Sequence, residues 1–439
     1  MRQADSGRNK CVVGDFMANA RLIALKALLE VEQSGAFSNI ALDRMLDSDK
    51  ILPQDKALAT ALFYGVLDRK ITLDYILSQY MSRPVSKTAP MTITALRIAL
   101  YQIMYMDRIP PSAAVNQSVD LIKKSPERYN ASFTNGVLRN ILRQEINLPE
   151  PTSPQNISII FSCPLPIVEG FIADYGVQNT IAILEHSLAA PPVTVRVNTI
   201  KTDTDTLFKR LIKEGLMVQK SDIPNALNIE NAVNVRALQS YSEGLFHIQD
   251  AASQISISKL SPTAGECVLD VCAAPGGKSF TMAELMQNRG KILALDIHEH
   301  RVKLIKKGAA RLGLDIITPA LADSTALPDE VGIFDAVLCD VPCSGLGVIR
   351  RKPEIKYKSS AEFELLPDLQ YNILSNAAQH LKSGGRLLYS TCTLRIAENE
   401  AVVSAFIDKN PDFALRYEHT FMPHTDGTDG FYCALITKA

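Results

Sequence analysis

The sequence lacks several features that would define a broad class of protein directly. Its charges nearly cancel, with 46 Lys and Arg residues against 47 Asp and Glu residues, so any RNA contact must come from a local basic patch. It has no run of about 18–20 apolar residues, and its polar first 16 residues contain no apolar signal segment. We therefore expect a cytoplasmic protein with no membrane association.

Motifs for metal binding are missing as well. None of the eight cysteines forms a C-x2-C pair, and the seven histidines show no ligand spacing, so we predict that no metal is bound. With 46% hydrophobic residues the composition is that of a globular protein, and 439 residues are enough for two or three domains.

Hydrophobic periodicity divides the chain into four segments. Residues 1–16 form a polar leader, and Met17 is an alternative start. Residues 17–147 carry apolar residues at helical spacing, and the proline-rich run 148–154 that follows predicts a linker. Residues 148–243 combine helical patterns with short strands, among them 193–201, and predict a small α+β module. Residues 244–439 alternate short Val-, Ile- and Leu-rich strands with helices, the pattern of a doubly wound parallel α/β sheet.

The helical segment is the basic part of the chain. Residues 17–147 contain 16 Lys and Arg residues against 12 Asp and Glu residues. Several of these cations cluster near its end, namely Lys123, Lys124, Arg128, Arg139 and Arg143. We interpret the cluster as an RNA-facing surface, and a solvated helix face is the alternative.

A small-residue turn follows the first strand of the last segment and predicts a ligand-binding loop. The turn consists of Cys272, Ala273, Ala274, Pro275, Gly276, Gly277 and Lys278. It does not match the G-x-G-x-x-G pattern of nicotinamide sites, and Cys272 replaces the first glycine of a P-loop. S-adenosylmethionine (SAM) is the favoured ligand, and a glycine turn without a ligand is the alternative.

Acidic residues follow the next two strands. Asp296 ends the second strand, where an acid typically accepts hydrogen bonds from ribose hydroxyls. Asp323 comes at the end of the third strand, where a purine edge fits.

Two cysteines follow the fourth and fifth strands. Cys343 lies in the run DVPCSG, three residues after Asp340, and Cys392 lies in STCT. A single cysteine in an apolar run is usually an inert core residue. Two at equivalent strand ends, which open onto one crevice in such a sheet, instead predict a reactive pair.

The runs CAAPGGK, DVPCSG and STCT together resemble those of the RNA cytosine-5 methyltransferases of the Nol1/Nop2/Sun group. The resemblance extends over the chain. It implies an all-α domain similar to the antitermination factor NusB (17–147), an RRM-like α+β module (148–243) and a Rossmann-like SAM-dependent methyltransferase domain (244–439). This is the layout of members that methylate small-subunit (16S) ribosomal RNA.

The resemblance also implies a role for each site residue. Residues 272–278 would hold SAM, Asp296 would bind its ribose and Asp323 would face its adenine. Asp340 would lie beside both the methyl donor and the base. Cys392 corresponds to the nucleophile that adds to carbon 6 of cytosine, and Cys343 to the cysteine that assists product release.

Other expectations concern the cysteine, the RNA and the assembly. We expect the pKa of Cys392 to be lowered by the SAM sulfonium and by helix N-termini. The cations Arg350, Arg351, Lys352, Lys356 and Lys358 are expected to hold phosphates, with a solvated charge run as the alternative. We expect a monomer with no DNA partner. Methylation of tRNA, a non-catalytic RNA-binding assembly factor and, weakened by Cys272, a P-loop NTPase are the alternative functions.

Overall fold

The computed structural model describes residues 19–34, 38–47, 51–189, 191–230 and 234–439. The chain divides into two compact units, Met1–Thr152 and Ser153–Ala439. The division falls within the proline-rich run 148–154, and the boundaries of the three domains stay predictions. The leader 1–16 and the alternative start at Met17 lie outside the described residues.

The first unit is helical over its described residues. Its helices are α1 (Ala20–Ser34), α2 (Ser38–Leu46), α3 (Pro53–Asp68), α4 (Lys70–Tyr80), α5 (Pro90–Tyr105), α6 (Pro111–Lys123) and α7 (Ala131–Ile141). Helix α5 is buried on all sides from Thr92 to Leu100, as expected for the central helix of a bundle. Its one buried cation, Arg97, donates to both Asp74 and Glu32, so its charge is compensated.

The second unit begins with two helices and a small antiparallel sheet. Its first elements are α8 (Pro154–Ile160), α9 (Leu165–Ser187), β1 (Val193–Val197), α10 (Thr204–Lys213), β2 (Met217–Lys220), β3 (Ala226–Glu230), α11 (Gln239–Ser242) and β4 (Phe246–Ile248). The strand order is β2-β3-β1-β4. The predicted strand 193–201 is too long, because the side-chain amide of Asn198 donates to the carbonyls of Gly244 and Leu312 and turns the chain.

The rest of this unit is built on a seven-stranded sheet. Its strands are β5 (Cys267–Asp270), β6 (Lys291–Asp296), β7 (Ile317–Leu321), β8 (Phe334–Asp340), β9 (Leu381–Thr391), β10 (Phe413–Phe421) and β11 (Phe431–Lys438). Its helices are α12 (Ala251–Leu260), α13 (Gly277–Leu285), α14 (Glu299–Leu312), α15 (Ser360–Glu364), α16 (Leu366–Gln379), α17 (Glu400–Lys409) and α18 (Pro423–Asp426).

The order of this sheet is β10-β11-β9-β8-β5-β6-β7. The five strands from β9 to β7 are parallel, whereas β11 pairs antiparallel with β9 and with β10. The predicted fold classes, helical, α+β and α/β, are therefore confirmed. Parallel strands place all their carboxyl ends at one edge, so the acidic and cysteine-bearing loops lie along the same crevice.

Within the described residues, no single helix has the length and apolar character needed to cross a membrane. One pair bent by 117°, Pro154–Ile160 with Leu165–Ser187, meets that test together, by length and composition only.

Candidate active site

The turn after β5 packs against its neighbours through its own backbone. The N–H of Ala273 donates to the carbonyl of Leu295 on β6, and the N–H of Gly276 donates to the carbonyl of Ala273, both at 2.7 Å. Gly276 has φ +111°, and a Cβ there would lie 2.3 Å from Cζ of Phe280. Only glycine tolerates both the positive φ and the lack of space for a Cβ at this position, so the loop is held close to the start of α13.

The acid that ends β5 is buried beneath this turn. Asp270 is fully buried, and Oγ of Ser279 donates to its Oδ2 at 2.5 Å. Burial raises the pKa of Asp270 to about 7, although the Ser279 bond opposes the shift. Its Oδ1 has no hydrogen-bond partner within the described part of the chain. The sequence analysis noted no role for this residue, and its only signal was an acid at the end of an apolar strand.

The two acids predicted to bind the nucleoside have different surroundings. Asp296 is 6% exposed, and its Oδ1 accepts the N–H of His298 at 2.9 Å. Asp323 is exposed, and its Oδ1 accepts the hydroxyl and the N–H of Thr325. The hydroxyl of Thr325 lowers the pKa of Asp323. The structure therefore brings Asp296 to the sheet edge, whereas the hydrogen bonds of Asp323 stay within its own turn.

Cys343 and Cys392 lie side by side, with their sulfurs 3.3 Å apart. Both are half-buried, on loops that are also joined by a bond from the N–H of Gly347 to the carbonyl of Cys392. The hydrogen bond from Cys343 lowers the pKa of Cys392, and the Lys278 charge acts in the same direction against burial and Asp340. That same bond, together with burial, raises the pKa of Cys343. The directions of the two pKa shifts make Cys392 the sulfur of the pair that loses its proton more readily.

The pKa of Cys392 is therefore shifted in the expected direction. The contribution expected from a bound sulfonium and helix N-termini stays a prediction. In the structure the main cause is the neighbouring thiol Cys343, with cationic help from Lys278 and Lys352.

Asp340 sits beside this pair and is held from two sides. Nζ of Lys278 lies 2.6 Å from its Oδ2, and Oγ of Ser390 donates to its Oδ1 at 2.8 Å. The register of β8 with β9 places Asp340 opposite Ser390, two residues before Cys392. The side chain of Asp340 is 29% exposed, so the carboxylate is fixed but still accessible.

The prediction that the cations from Arg350 onwards hold phosphates is wrong for the two arginines. Arg350 and Arg351 both bind the carboxylate of Asp429, which is 1% exposed, and Arg351 also binds Asp250. Their charges neutralise a buried acid. Lys356 is also buried, and Lys352 and Lys358 are exposed.

Residues beyond the cysteine motifs complete the site and were missed. Glu398, Asn399 and Gln370 are all fully buried and bond to the loops that carry the two cysteines. The available signal was the polar run Glu398–Asn399 shortly after Cys392, which is unusual in a buried segment.

The residues at this edge fit SAM. Asp296 keeps a carboxylate oxygen, Oδ2, that has no partner among the described residues, and buried Asp270 has another. Helix α13 presents its first N–H groups next to the small-residue turn, and a Cβ at Gly277 would meet no atom closer than 4.0 Å. This edge therefore offers acceptors for hydroxyl and amino groups and donors for a carboxylate, with space beside Gly277.

The doubly wound sheet and this edge define a SAM-dependent methyltransferase. Comparison with known families gives three matches: "16S rRNA methyltransferase RsmB/F" over residues 257–437, the NusB family over 18–143, and the RsmF/B-like ferredoxin-like domain over 164–236. The chain belongs to the 16S rRNA methyltransferase RsmB/F family.

Individual relatives agree with this assignment. The chain is 38% identical to the probable ribosomal RNA small subunit methyltransferase B of Bacillus subtilis, across 96% of this chain and 99% of that one. It is 33% identical to the Synechocystis protein of the same description, across 96% and 100%. The crystal structure of PH0851 superposes with a TM-score of 0.81 at 26% identity, covering 96% of this chain and 100% of that one.

Proposed function

We propose that the protein transfers a methyl group from SAM to carbon 5 of a cytosine in small-subunit ribosomal RNA, with Cys392 as the nucleophile. The observation that carries this proposal is the 3.3 Å separation of the Cys343 and Cys392 sulfurs beside Asp340. A thiol that lowers the pKa of a second, accessible thiol is suited to covalent catalysis. A methyltransferase acting on an already nucleophilic oxygen or nitrogen needs no such pair.

The choice of RNA rests on relatives and charge. The relatives from Bacillus subtilis and Synechocystis are described as ribosomal RNA small subunit methyltransferases, and residues 18–143 match the NusB family. In the helical unit, Lys123, Lys124, Arg128, Arg139 and Arg143 are the residues we assign to phosphate contact. A single-stranded or loop cytosine is the easier target, because flipping a paired base costs a few kcal/mol.

Carbon 5 of cytosine is too weak a nucleophile to react unaided. The Cys392 thiolate adds to carbon 6, which forms an S–C6 bond and moves the electron pair of the ring double bond to carbon 5. Bound SAM would supply the electrophilic methyl group: the C5–CH3 bond would form as the S–CH3 bond breaks, with its electron pair going to the sulfur of departing S-adenosylhomocysteine. The proton on carbon 5 then passes to water, its electron pair re-forms the C5–C6 double bond, and the Cys392 sulfur leaves as a thiolate.

Cys343 and Asp340 support the two halves of this reaction. The S–H of Cys343 hydrogen-bonds the departing Cys392 sulfur, as it does in the free protein, and so stabilises the leaving thiolate. The Asp340 carboxylate, fixed by Lys278 and Ser390, accepts a hydrogen bond from the exocyclic amino group of the cytosine, next to ring nitrogen 3, and so orients the base.

Cofactor binding is assigned to the turn after β5 and the strand ends beside it. Residues 272–278 surround the amino acid part of SAM, and Asp296 accepts hydrogen bonds from its ribose. Asp323 is assigned to the adenine. Its exposed carboxylate reaches the ligand through an oxygen that Thr325 does not occupy.

The test is to trap the covalent adduct. Cys343→Ala protein is incubated with SAM and small-subunit rRNA and run on a denaturing gel, with the Cys343→Ala/Cys392→Ala double variant as control. We expect a slow protein–RNA band that the double variant lacks, and mapping by nuclease digestion should find the methyl group on carbon 5. Absence of the band while wild-type protein still methylates the RNA would overturn the cysteine roles.

A further inference from the structure

The loops that carry the two cysteines are bonded directly to one another. Ser344 follows Cys343, Thr393 follows Cys392, and the two hydroxyl oxygens lie 2.7 Å apart. Both side chains are buried, at 2% and 0% exposure. A hydroxyl pair shielded from water joins the two loops at the positions next to the reactive sulfurs.

A single carboxylate holds the residues on both sides of Cys343. Oε2 of Glu398 accepts the N–H of Ser344 at 2.8 Å and an Nε2 hydrogen of Gln370 at 2.9 Å. The same Nε2 of Gln370 donates to the carbonyl of Pro342, also at 2.9 Å. Glu398 and Gln370 are both 0% exposed, so these bonds do not compete with water.

The next residue in the chain does the same for Cys392. Oδ1 of Asn399 accepts the hydroxyl of Thr391 at 2.6 Å, and its Nδ2 donates to the carbonyl of Thr393 at 3.1 Å. The residues before and after Cys392 are therefore held by one buried amide. Glu398 thus holds the residues before and after Cys343, and the adjacent Asn399 holds those before and after Cys392.

Because consecutive Cα atoms are separated by a fixed distance of about 3.8 Å, a backbone movement at Glu398 or Asn399 displaces the other residue as well. The turn is anchored in addition by the hydroxyl of Tyr389, which donates to the carbonyl of Glu398 at 2.6 Å. We propose that Glu398 and Asn399 are positioning residues that together fix the separation of the Cys343 and Cys392 sulfurs. This inference rests on the proposed function, in which Cys343 acts on the sulfur of Cys392.

Loss of Glu398 should act on one partner of the pair. Without the carboxylate, the N–H of Ser344 and the amide of Gln370 lose their acceptor, and the Cys343 loop is freed. Cys392 keeps its bracket from Asn399 and its neighbours Lys278, Lys352 and Asp340, but it loses the thiol hydrogen bond. Reactivity of the sulfur should change while the SAM edge does not.

The test compares Glu398→Ala, Glu398→Gln and Asn399→Ala with the control Glu214→Ala. Glu214 also accepts a backbone N–H and a hydroxyl, both from Ser240, but it lies in the α+β module away from the cysteine loops. Alkylation of Cys392 by iodoacetamide is followed against pH by peptide mass spectrometry. Steady-state methyl transfer to rRNA and equilibrium binding of SAM are measured on the same preparations.

For Glu398→Ala we expect the pH midpoint of Cys392 alkylation to rise and kcat to fall about 10²-fold, the loss typical of a small misplacement of reacting groups. The Kd for SAM and the KM for RNA should stay close to wild type. Glu398→Gln should recover much of both losses, because an amide oxygen still accepts from Ser344. Asn399→Ala should lower kcat in the same way, and Glu214→Ala should change neither kcat nor the midpoint.

The proposal is overturned if Glu398→Ala has the same alkylation midpoint and the same kcat as the Glu214→Ala control. It is also overturned if Glu398→Gln recovers neither quantity relative to Glu398→Ala. If Glu398→Ala does not fold, Gln370→Leu is measured against the Glu214→Ala control instead. It removes the hydrogen bond to the carbonyl of Pro342 and leaves the carboxylate of Glu398 in place. Alkylation needs no RNA, so a shifted midpoint supports the positioning role even if carbon 5 is not the methylated atom. An adduct in Cys343→Ala with no shift in any variant would keep the proposed function and overturn this inference.

Discussion

Nζ of Lys278, in the first turn of α13 directly after the small-residue turn, lies 2.6 Å from Oδ2 of Asp340 at the end of β8. Burial alone would lower the pKa of Lys278, but the Asp340 carboxylate outweighs burial and raises it, so the ion pair is maintained. The same ammonium group lowers the pKa of Cys392. One cation therefore connects the turn after β5 with Asp340 and Cys392, the residues that we propose as base-binding acid and nucleophile.

Replacing Lys278 with Met should separate these roles. We expect the alkylation midpoint of Cys392 to move to higher pH, because its cationic neighbour is lost while Asp340 stays. Methyl transfer should fall by about 10²-fold or more, in the range that positioned acid–base groups contribute. Lys278→Arg, which keeps the charge, is the control and should retain the low midpoint. A midpoint in Lys278→Met equal to wild type would contradict this coupling.

The donor thiol can be tested separately. Cys343→Ala removes the S–H that stabilises the Cys392 thiolate, whereas Cys343→Ser replaces it with an O–H donor. We expect the pKa of Cys392 to rise in the Ala variant, because burial is then opposed mainly by Lys278, and to rise less in the Ser variant. Rates of iodoacetamide reaction at Cys392 between pH 6 and 10 measure both. Equal midpoints in the two variants would show that the hydrogen bond is not the cause.

Much of this site was predictable from the sequence because parallel strands align their carboxyl ends. Once the β8 and β9 patterns were identified, the fold itself required Cys343 and Cys392 to be neighbours. Their bracketing by Glu398 and Asn399 was not predictable, because it depends on which side-chain atoms meet across loops. The resemblance supplied the residue roles, and those roles stay proposals.

The arginines show the opposite case. A run of cations beside a reactive loop in an RNA enzyme indicates phosphate contacts, but Arg350 and Arg351 instead bind the buried carboxylate of Asp429. That acid lies about 80 residues further along the chain, and local sequence carries no information on such a pairing. The oligomeric state likewise stays a prediction.

The pairing of Arg350 with Asp429 predicts a stability effect. Arg350→Ala leaves a carboxylate that is 1% exposed with Arg351 as its one remaining cationic partner among the described residues. We expect urea unfolding to show a clear loss of stability that stays below the about 3–5 kcal/mol of a buried charge left wholly unpaired. Lys358→Ala, an exposed cation of the same run, should change stability little and serves as control. A loss of RNA affinity in Arg350→Ala with no change in the free energy of unfolding would contradict the structural role.

Asp270 should make stability depend on pH in a defined direction. Its pKa is about 7 in the folded protein against 3.8 for the ordinary group, so between these values the folded state binds the proton more tightly. The contribution of Asp270 to stability is therefore greatest below pH 4, falls as pH rises through that window, and levels off above pH 7. Asp270→Asn is neutral at every pH and still accepts the Ser279 hydroxyl.

The difference in unfolding free energy between Asp270→Asn and wild type should therefore grow with pH, by at most about 1.4 kcal/mol per unit, and then become constant. Urea unfolding of SAM-free protein at pH 5, 6, 7 and 8 measures it. Asp250, whose pKa burial raises to about 6, titrates in the same window but in both proteins, so its contribution cancels in the difference. A difference that does not change with pH would mean that Asp270 is already ionised in the folded protein. The Ser279 hydroxyl, the backbone at Cys272 and the Lys278 charge, all of which lower the pKa of Asp270, would then outweigh its burial.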